Sequence, residues 1–320
     1  MWFPALIRKS ATVRRPARRK QAPSLRPRLE ALEDRWLPST LTVTNINDSG
    51  SGSLRAEIIA AHSGDTIVFS SKLFHSGKMT TIGLASGELD LTKNLTIQGP
   101  GAAELTISGY SPAKGRGGIS TDVRVFEVAP DTTVTLSGLA IAHGFADNGG
   151  GILNQGTLTV SGCTVSGNSS VYEGGGIYSN GSLTVSGCTL SGNSAFDGAG
   201  ISNHGTATLL SSTVSNNTCV NDLSDSYDPT TEGGGIFNDG TLTLSGCTVS
   251  ANWSFDWGGD GIYNASAGMV TVENSTSITG NHPPSGYTAH LIDDVHNAGL
   301  LYLDSTSTIG SLDGNPAIPI

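Results

Sequence analysis

What the chain lacks narrows its chemistry before any motif is considered. No Lys or Arg follows Arg124, although seventeen Asp and Glu do, so this stretch has nothing to attract a phosphate backbone or an anionic membrane surface. Nucleic acid is therefore not expected as a partner, and an ion drawn to the region should be a cation. No apolar run reaches 18 residues, which excludes a membrane-spanning helix. Only 14% of the 320 residues are charged, too few for a disordered polyelectrolyte. Cysteine is limited to four residues without CxxC spacing, and no HxxxH occurs, so neither a zinc-finger pattern nor a disulfide framework can be read from the chain.

What is abundant is glycine, 43 residues, set within a repeat. GGGILNQGTLTVSGCTVSGN begins at Gly149, and copies begin at Gly174, Gly198, Gly233 and, more loosely, Gly259, spaced 25, 24, 35 and 26 residues apart. Such a period belongs to stacked solenoids. Within a unit, apolar residues alternate in short runs broken by glycine: Ile152, then Leu158 and Val160, then Cys163 and Val165. Period-two alternation means strand, and runs this short mean three strands per coil, with successive coils pairing in parallel about 4.8 Å apart.

Stacked copies define columns. Cys163, Cys188 and Cys247 share one, with Ser212 between them, and are expected to be small buried hydrophobes instead of disulfide partners. Asn154, Asn203, Asn238, Asn264 and Asn297 share a second column; Asn168, Asn193, Asn217, Asn252 and Asn281 share a third. Asparagine tolerates left-handed turns and can bond its neighbour one coil away, so these columns are expected to be structural. The pattern extends back through VTLSGLAIAHG at Val134, LTISG at Leu105 and LDLTKNLTIQG at Leu89, and forward to VHNAGLLYLDSTSTIG at Val295, giving about eight or nine rungs. GSLRAEIIAAHSGDTIVFS at Gly52 predicts a capping helix with Leu54, Ile58 and Ala61 on one face, then a strand at 66–69.

The cap, the GGGI units and the TLTVSGCTVSGN units together resemble the pectin-lyase-like right-handed parallel β-helix family over residues 41–320. The resemblance implies an all-β right-handed parallel β-helix with a short N-terminal capping helix. Its parts are a cap at 41–75, irregular rungs at 76–148, regular repeats at 149–281 and a degenerate last coil at 282–320. Residues 1–40 are basic, holding ten Lys and Arg against three acids within the first 36, and are expected to be a disordered leader. Their LExLEDR core at Leu29–Arg35 resembles the leader of bacterial surface proteins, which implies export.

Relatives in that family cleave acidic polysaccharides, and each route has requirements. Elimination needs an Arg or Lys base with calcium beside it, and the candidates Lys72, Lys78, Lys93, Lys114, Arg116 and Arg124 all precede the regular coils. Hydrolysis needs paired carboxylates. Asp293 and Asp294 with His296 are the residues that could serve, yet no R-x-K segment follows, and the pair sits at the GGG position of the last coil, where a solvated turn is expected. His143, His204, His282 and His290 show no triad or ligand spacing and are expected to be turn residues.

Two surface features remain. Before each GGG lie Asn148, Glu173, Asp197 and Glu232, with Asp256 and Asp260 flanking the fifth copy. No cofactor is expected, but such oxygen-rich turns are where calcium would bind. Tyr172, Phe196, Tyr227, Trp253, Phe255 and Trp257 occupy the same edge and suit sugar-ring stacking or a partner protein. The reading is a monomeric, exported or cell-surface structural or adhesion-type β-helix that binds a glycan or envelope component; a polysaccharide lyase or glycoside hydrolase is the alternative.

Overall fold

The computed structural model describes residues 37–75, 77–109, 123–220, 231–255, 258–282 and 293–320. Leu37–Ile320 form one compact unit. Residues 1–36 of the leader, Tyr227, Asp256 and Trp257 lie outside the described residues, as do Lys114, Arg116 and His290.

The folded unit is a right-handed parallel β-helix. Three parallel sheets of eleven, nine and nine strands wrap around one core. In one regular coil they receive Thr157–Ser161, Thr164–Ser166 and Ile152–Asn154 in turn. Copies align in register, Leu158 opposite Leu183 and Val134, Val165 opposite Leu190 and Ile141, so each inward column stacks apolar on apolar. Ile152, Leu158, Val160 and Val165 are all buried, as are their counterparts in the regular coils. Within 282–320, one coil at Val295–Ile309 is followed by the start of another at Leu312–Gly314 and Ile318–Pro319.

The corner after each TLTVS run requires a left-handed residue. Gly162, Gly187 and Gly246 provide it at φ +56, +59 and +63, while Ser211 takes φ +46 at the same place. A side chain in that region costs about 1 kcal/mol, which explains why glycine dominates the position. The next residue is the cysteine column, and its role is more than apolar filling. The Cys163 N–H donates to Cys188 Sγ at 3.3 Å, the Cys188 N–H to Ser212 Oγ at 3.1 Å and the Cys247 N–H to Thr276 Oγ1 at 3.1 Å. Each side chain satisfies a corner amide of the preceding coil, which is why serine and threonine can replace cysteine there. All four cysteines are free and buried.

Both asparagine columns are buried ladders. Asn193 Oδ1 accepts from the N–H and Nδ2 of Asn168, and the same pair of bonds joins Asn193 to Asn217, Asn217 to Asn252 and Asn252 to Asn281. In the other column, Asn203 donates to Asn238, Asn238 to Asn264 and Asn264 to Asn297, at 2.7 to 2.8 Å. Buried backbone at these corners is thereby paired throughout.

The N-terminal end is closed by the helix Leu54–Ala60, with Ser53 as N-cap accepting from the Ala56 N–H. Leu54, Ile58 and Ala61 are buried on its inner face. The Ser53 N–H donates to the Gly50 carbonyl, so a capping-box bond from the Glu57 side chain is not needed. No helix among the described residues is long and apolar enough to cross a membrane.

A fourth sheet was not anticipated. Phe145–Asn148, Ser169–Glu173, Ser194–Ala195 and Thr218–Cys219 pair in parallel just before the GGG triplets, extending four coils by an extra strand each. Trp253 bridges to Thr218 and continues the row.

Candidate functional site

The strand Ile152–Asn154 and its copies point their first and third residues inward, so the middle residue faces out. In-register pairing then aligns Leu153, Tyr178, Ser202, Phe237, Tyr263 and His296 in one outer column. Ser202 interrupts the series, and His204, two residues on, fills the gap. Its ring lies 5.1 Å from Tyr178 and 5.6 Å from Phe237. Phe237 stacks on Tyr263 at 5.7 Å and Tyr263 on His296 at 5.0 Å, with interplanar angles of 6° and 8°. The result is a continuous ladder of five rings whose faces are used against one another, leaving edges toward solvent.

The side chains around His204 form the densest polar cluster of this face. His204 Nδ1 meets Asp239 Oδ1 at 2.9 Å; Nε2 meets Glu173 Oε2 and lies 3.0 Å from Ser202 Oγ. Ser202 Oγ donates to Glu173 Oε2 at 2.7 Å. The hydrogen bond to Glu173, reinforced by Asp239 and opposed by burial, pushes the imidazole up to about 9. Burial works to raise the Glu173 carboxyl, but His204 and Ser202 hold it below its usual value. A serine beside a histidine beside a carboxylate suggests a nucleophile and its base, yet the chemistry does not follow. An imidazolium clamped by two carboxylates cannot accept a proton near neutrality, and Ser202 is fully buried. His204 thus sits in the turn expected from its spacing and is in addition a half-buried cation held by two carboxylates.

The acids before the GGG triplets stack through their backbones but not through their carboxylates. Asn148 Oδ1 accepts the Glu173 N–H at 3.1 Å and Asp197 Oδ1 accepts the Glu232 N–H at 2.7 Å, each capping the next turn. Glu173 turns to His204, Glu232 is hydrogen-bonded by Tyr263, and Asp260 accepts from the N–H and Oγ of Ser254. Burial, with Glu232 and Glu173 nearby, pushes Asp197 up to about 7 despite the amide it accepts. Burial likewise pushes Asp260 up to about 6. Glu173, Asp197, Glu232 and Asp260, the residues where calcium would bind, thus direct their carboxylates to separate partners.

The fourth sheet does bring the expected aromatic edge together. Tyr172 is 58% exposed, and Phe145, Val171 and Val220 on or beside the same sheet are exposed by 41 to 46%. The Phe196 N–H bonds the Tyr172 carbonyl, and Trp253 lies 5.9 Å from Phe255 at 50°. Phe196, Trp253 and Phe255 are half-buried.

Asp293 and Asp294 are not the solvated turn expected of them; they are 3% and 5% exposed. In the preceding coils the Asp294 position is glycine, because a Cβ on Gly261 would stand 2.7 Å from Asn281 Nδ2. Coil 293–309 is followed by no further asparagine of that ladder, and the Asp294 carboxylate takes the vacated place. Its Oδ1 accepts the N–H and Nδ2 of Asn281, and its Oδ2 accepts the N–H and Oγ of Ser311. Asp294 terminates the ladder and is no catalytic acid. Asp293 Oδ1 accepts the Gly259 N–H, while Oδ2 faces His296, whose Nδ1 also meets Asp313 at 3.0 Å.

Sequence reasoning missed the ring ladder, Asp239 and Asp313. The ladder could have been found by reading the middle residue of each I-x-N triplet as a column. A second group of acids, Glu88, Asp90 and Glu127, has ligand atoms within 4.8 Å of one another, but Arg124 lies between Glu88 and Glu127 and bonds both.

Residues 125–277 match the family model described as right handed beta helix region. The crystal structure of pectate lyase Pel9A is similar at a TM-score of 0.47 and 15% identity, over 88% of this chain and 79% of that one. No curated protein matches.

Proposed function

We propose that this right-handed parallel β-helix is an exported or cell-surface binding scaffold without catalytic activity. Its ligand is a neutral or amino-bearing glycan held on the edge built by the fourth sheet. The exposure of Tyr172 on the fourth sheet, where Phe145 and Val171 are also exposed, is the observation that carries this reading. On the neighbouring ladder, aromatic faces are spent on one another; here a ring face is open for a sugar. The turn acids alongside accept hydroxyl or ammonium hydrogens, and the absence of Lys and Arg after Arg124 disfavours a uronate polymer.

The non-catalytic part of the proposal rests on how the acids are engaged. Asp294 is consumed by four hydrogen bonds, Asp260 by Ser254, and Glu173 with Asp239 by His204. Export rests on the basic segment and its Leu29–Arg35 core. The test is calorimetric titration with a panel of neutral, amino and uronate oligosaccharides, run with Tyr172→Ala and with a reducing-end assay. Binding of a neutral or amino glycan that weakens at least tenfold in the variant, at unchanged melting temperature, supports the proposal. Release of reducing ends, or binding indifferent to Tyr172, sinks it.

A further inference from the structure

Asp293, His296 and Asp313 converge at the C-terminal end of the helix in a way the ring ladder does not require. His296 and Asp313 are direct cross-strand partners, on Val295–Asn297 and Leu312–Gly314, and Asp293 precedes the same strand as His296. His296 Nδ1 lies 3.0 Å from Asp313 Oδ2 and 3.6 Å from Asp293 Oδ2, and one ligand atom of each residue falls within 4.8 Å of the others. We infer that these three side chains bind one divalent metal ion of the zinc class.

Three independent features of the site carry this inference beyond a cluster of acids. First, Asp293 Oδ2 is shielded from solvent and has no hydrogen-bond partner among the described residues, since 3.6 Å to Nδ1 is too long for one. A buried carboxylate oxygen left unpaired is costly, and a cation in front of it removes the cost. Second, the spacing is right: ligands at ~2.1 Å in a tetrahedral zinc site stand roughly 3.4 Å apart, between the two separations from His296 Nδ1. Third, both inner ligands are already oriented. Asp293 is fixed through Oδ1 by the Gly259 N–H, and the His296 ring is fixed by its stack on Tyr263.

Gly258 closes one side at φ +104; a Cβ there would stand 3.1 and 3.2 Å from the Asp293 oxygens and 3.5 Å from His296 Nδ1. The Asp313 side chain is 50% exposed, so a fourth position opens to water. Contrast with the other acid group is direct, because there Arg124 already supplies the positive charge, whereas no Lys or Arg exists in this half of the chain. An imidazole donor with only two carboxylates suits zinc better than calcium, which takes six to eight oxygens.

The experiment uses the full chain without a histidine tag, treated with chelator and titrated with zinc chloride by calorimetry, with melting followed in parallel. One zinc per chain is expected, with a rise in melting temperature and no comparable response to calcium chloride. Asp313→Asn, at an exposed position that leaves the fold intact, should weaken zinc binding at least tenfold, and His296→Gln should abolish it. His62→Gln, at the opposite end, should leave it unchanged. Absence of a one-to-one event, undiminished binding in Asp313→Asn, or preference for calcium overturns the inference.

Discussion

His204 offers a quantitative test of how the outer face is held. Replacing it by glutamine keeps a hydrogen-bonding side chain of similar reach but removes the charge clamped between Glu173 and Asp239. Raising an imidazole from 6.5 to about 9 corresponds to roughly 3 kcal/mol of preference for the charged form. The side chain is only 21% exposed, so solvent screening reduces this figure modestly. Because the folded-state value is raised, the contribution is complete below pH 6.5 and is lost as pH rises toward 9. Glu173 behaves oppositely: its value is depressed, so its share persists above 4.5 and is lost on acidification through its folded-state value. The clamp is therefore strongest between those two limits.

Urea unfolding of wild type and His204→Gln at pH 5.5 and pH 9.5 measures the effect as a difference of differences. Asp260, raised to about 6, also loses stability for the fold as pH rises and does so in both proteins; Asp197, raised to about 7, is held down in part by the His204 charge, so its share differs in the variant. A cost of about 3 kcal/mol at pH 5.5 that falls below about 1 kcal/mol at pH 9.5 is expected. An equal cost at both pH values, or an imidazole proton resonance titrating near 6.5, would refute the clamp.

The interior columns make further predictions. Asn217→Ala removes four side-chain hydrogen bonds, to Leu190, Asn252 and twice from Asn193, and should cost about 4 kcal/mol in urea unfolding at ~1 kcal/mol each; a cost under ~1 kcal/mol would contradict the ladder's role. Cys188→Ser should destabilise less than Cys188→Val, because serine still accepts the Cys163 N–H and valine leaves it unpaired; the reverse order would restore the purely apolar reading. Asp294→Ala should speed hydrogen exchange at the Asn281 amide while Asp294→Asn, which keeps the accepting Oδ1, should not. Native protein should react with a thiol reagent only on unfolding, since all four cysteines are buried; rapid native labelling would disprove that burial.

How much of this could be read from the chain follows from what the repeat constrains. A 25-residue period forces in-register stacking, so any column with a single residue type announces itself, and the asparagine and cysteine columns were legible for that reason. What the column could not reveal was the partner: the cysteine sulfur's bond to a corner amide emerges only when Ser212 and Thr276 are seen doing the same. The fourth sheet lies in the stretch of the repeat where length varies, ahead of each GGG, so period alone gave no register for Ser169–Glu173 or Thr218–Cys219. His204 escaped because it belongs to a turn by position and to the ring column by conformation. Asp313 lies in the partial coil at the end, where no copy of the repeat remained to align it.

A common rule connects the surface clusters. Parallel stacking places acids of successive coils side by side, and a chain region with no Lys or Arg must balance them by other means. Asp197 does so by holding its proton toward neutrality, and Glu232 by the Tyr263 hydroxyl. Four others gather around the two histidines of the ring column: Glu173 and Asp239 around His204, Asp293 and Asp313 around His296. The two differ in one respect that matters. At His204 both ring nitrogens meet carboxylates and no buried oxygen of the cluster lacks a partner; at His296 a single nitrogen faces both carboxylates and Asp293 Oδ2 is left over. An imidazolium completes the first arrangement, but only an ion able to touch three ligand atoms at once completes the second.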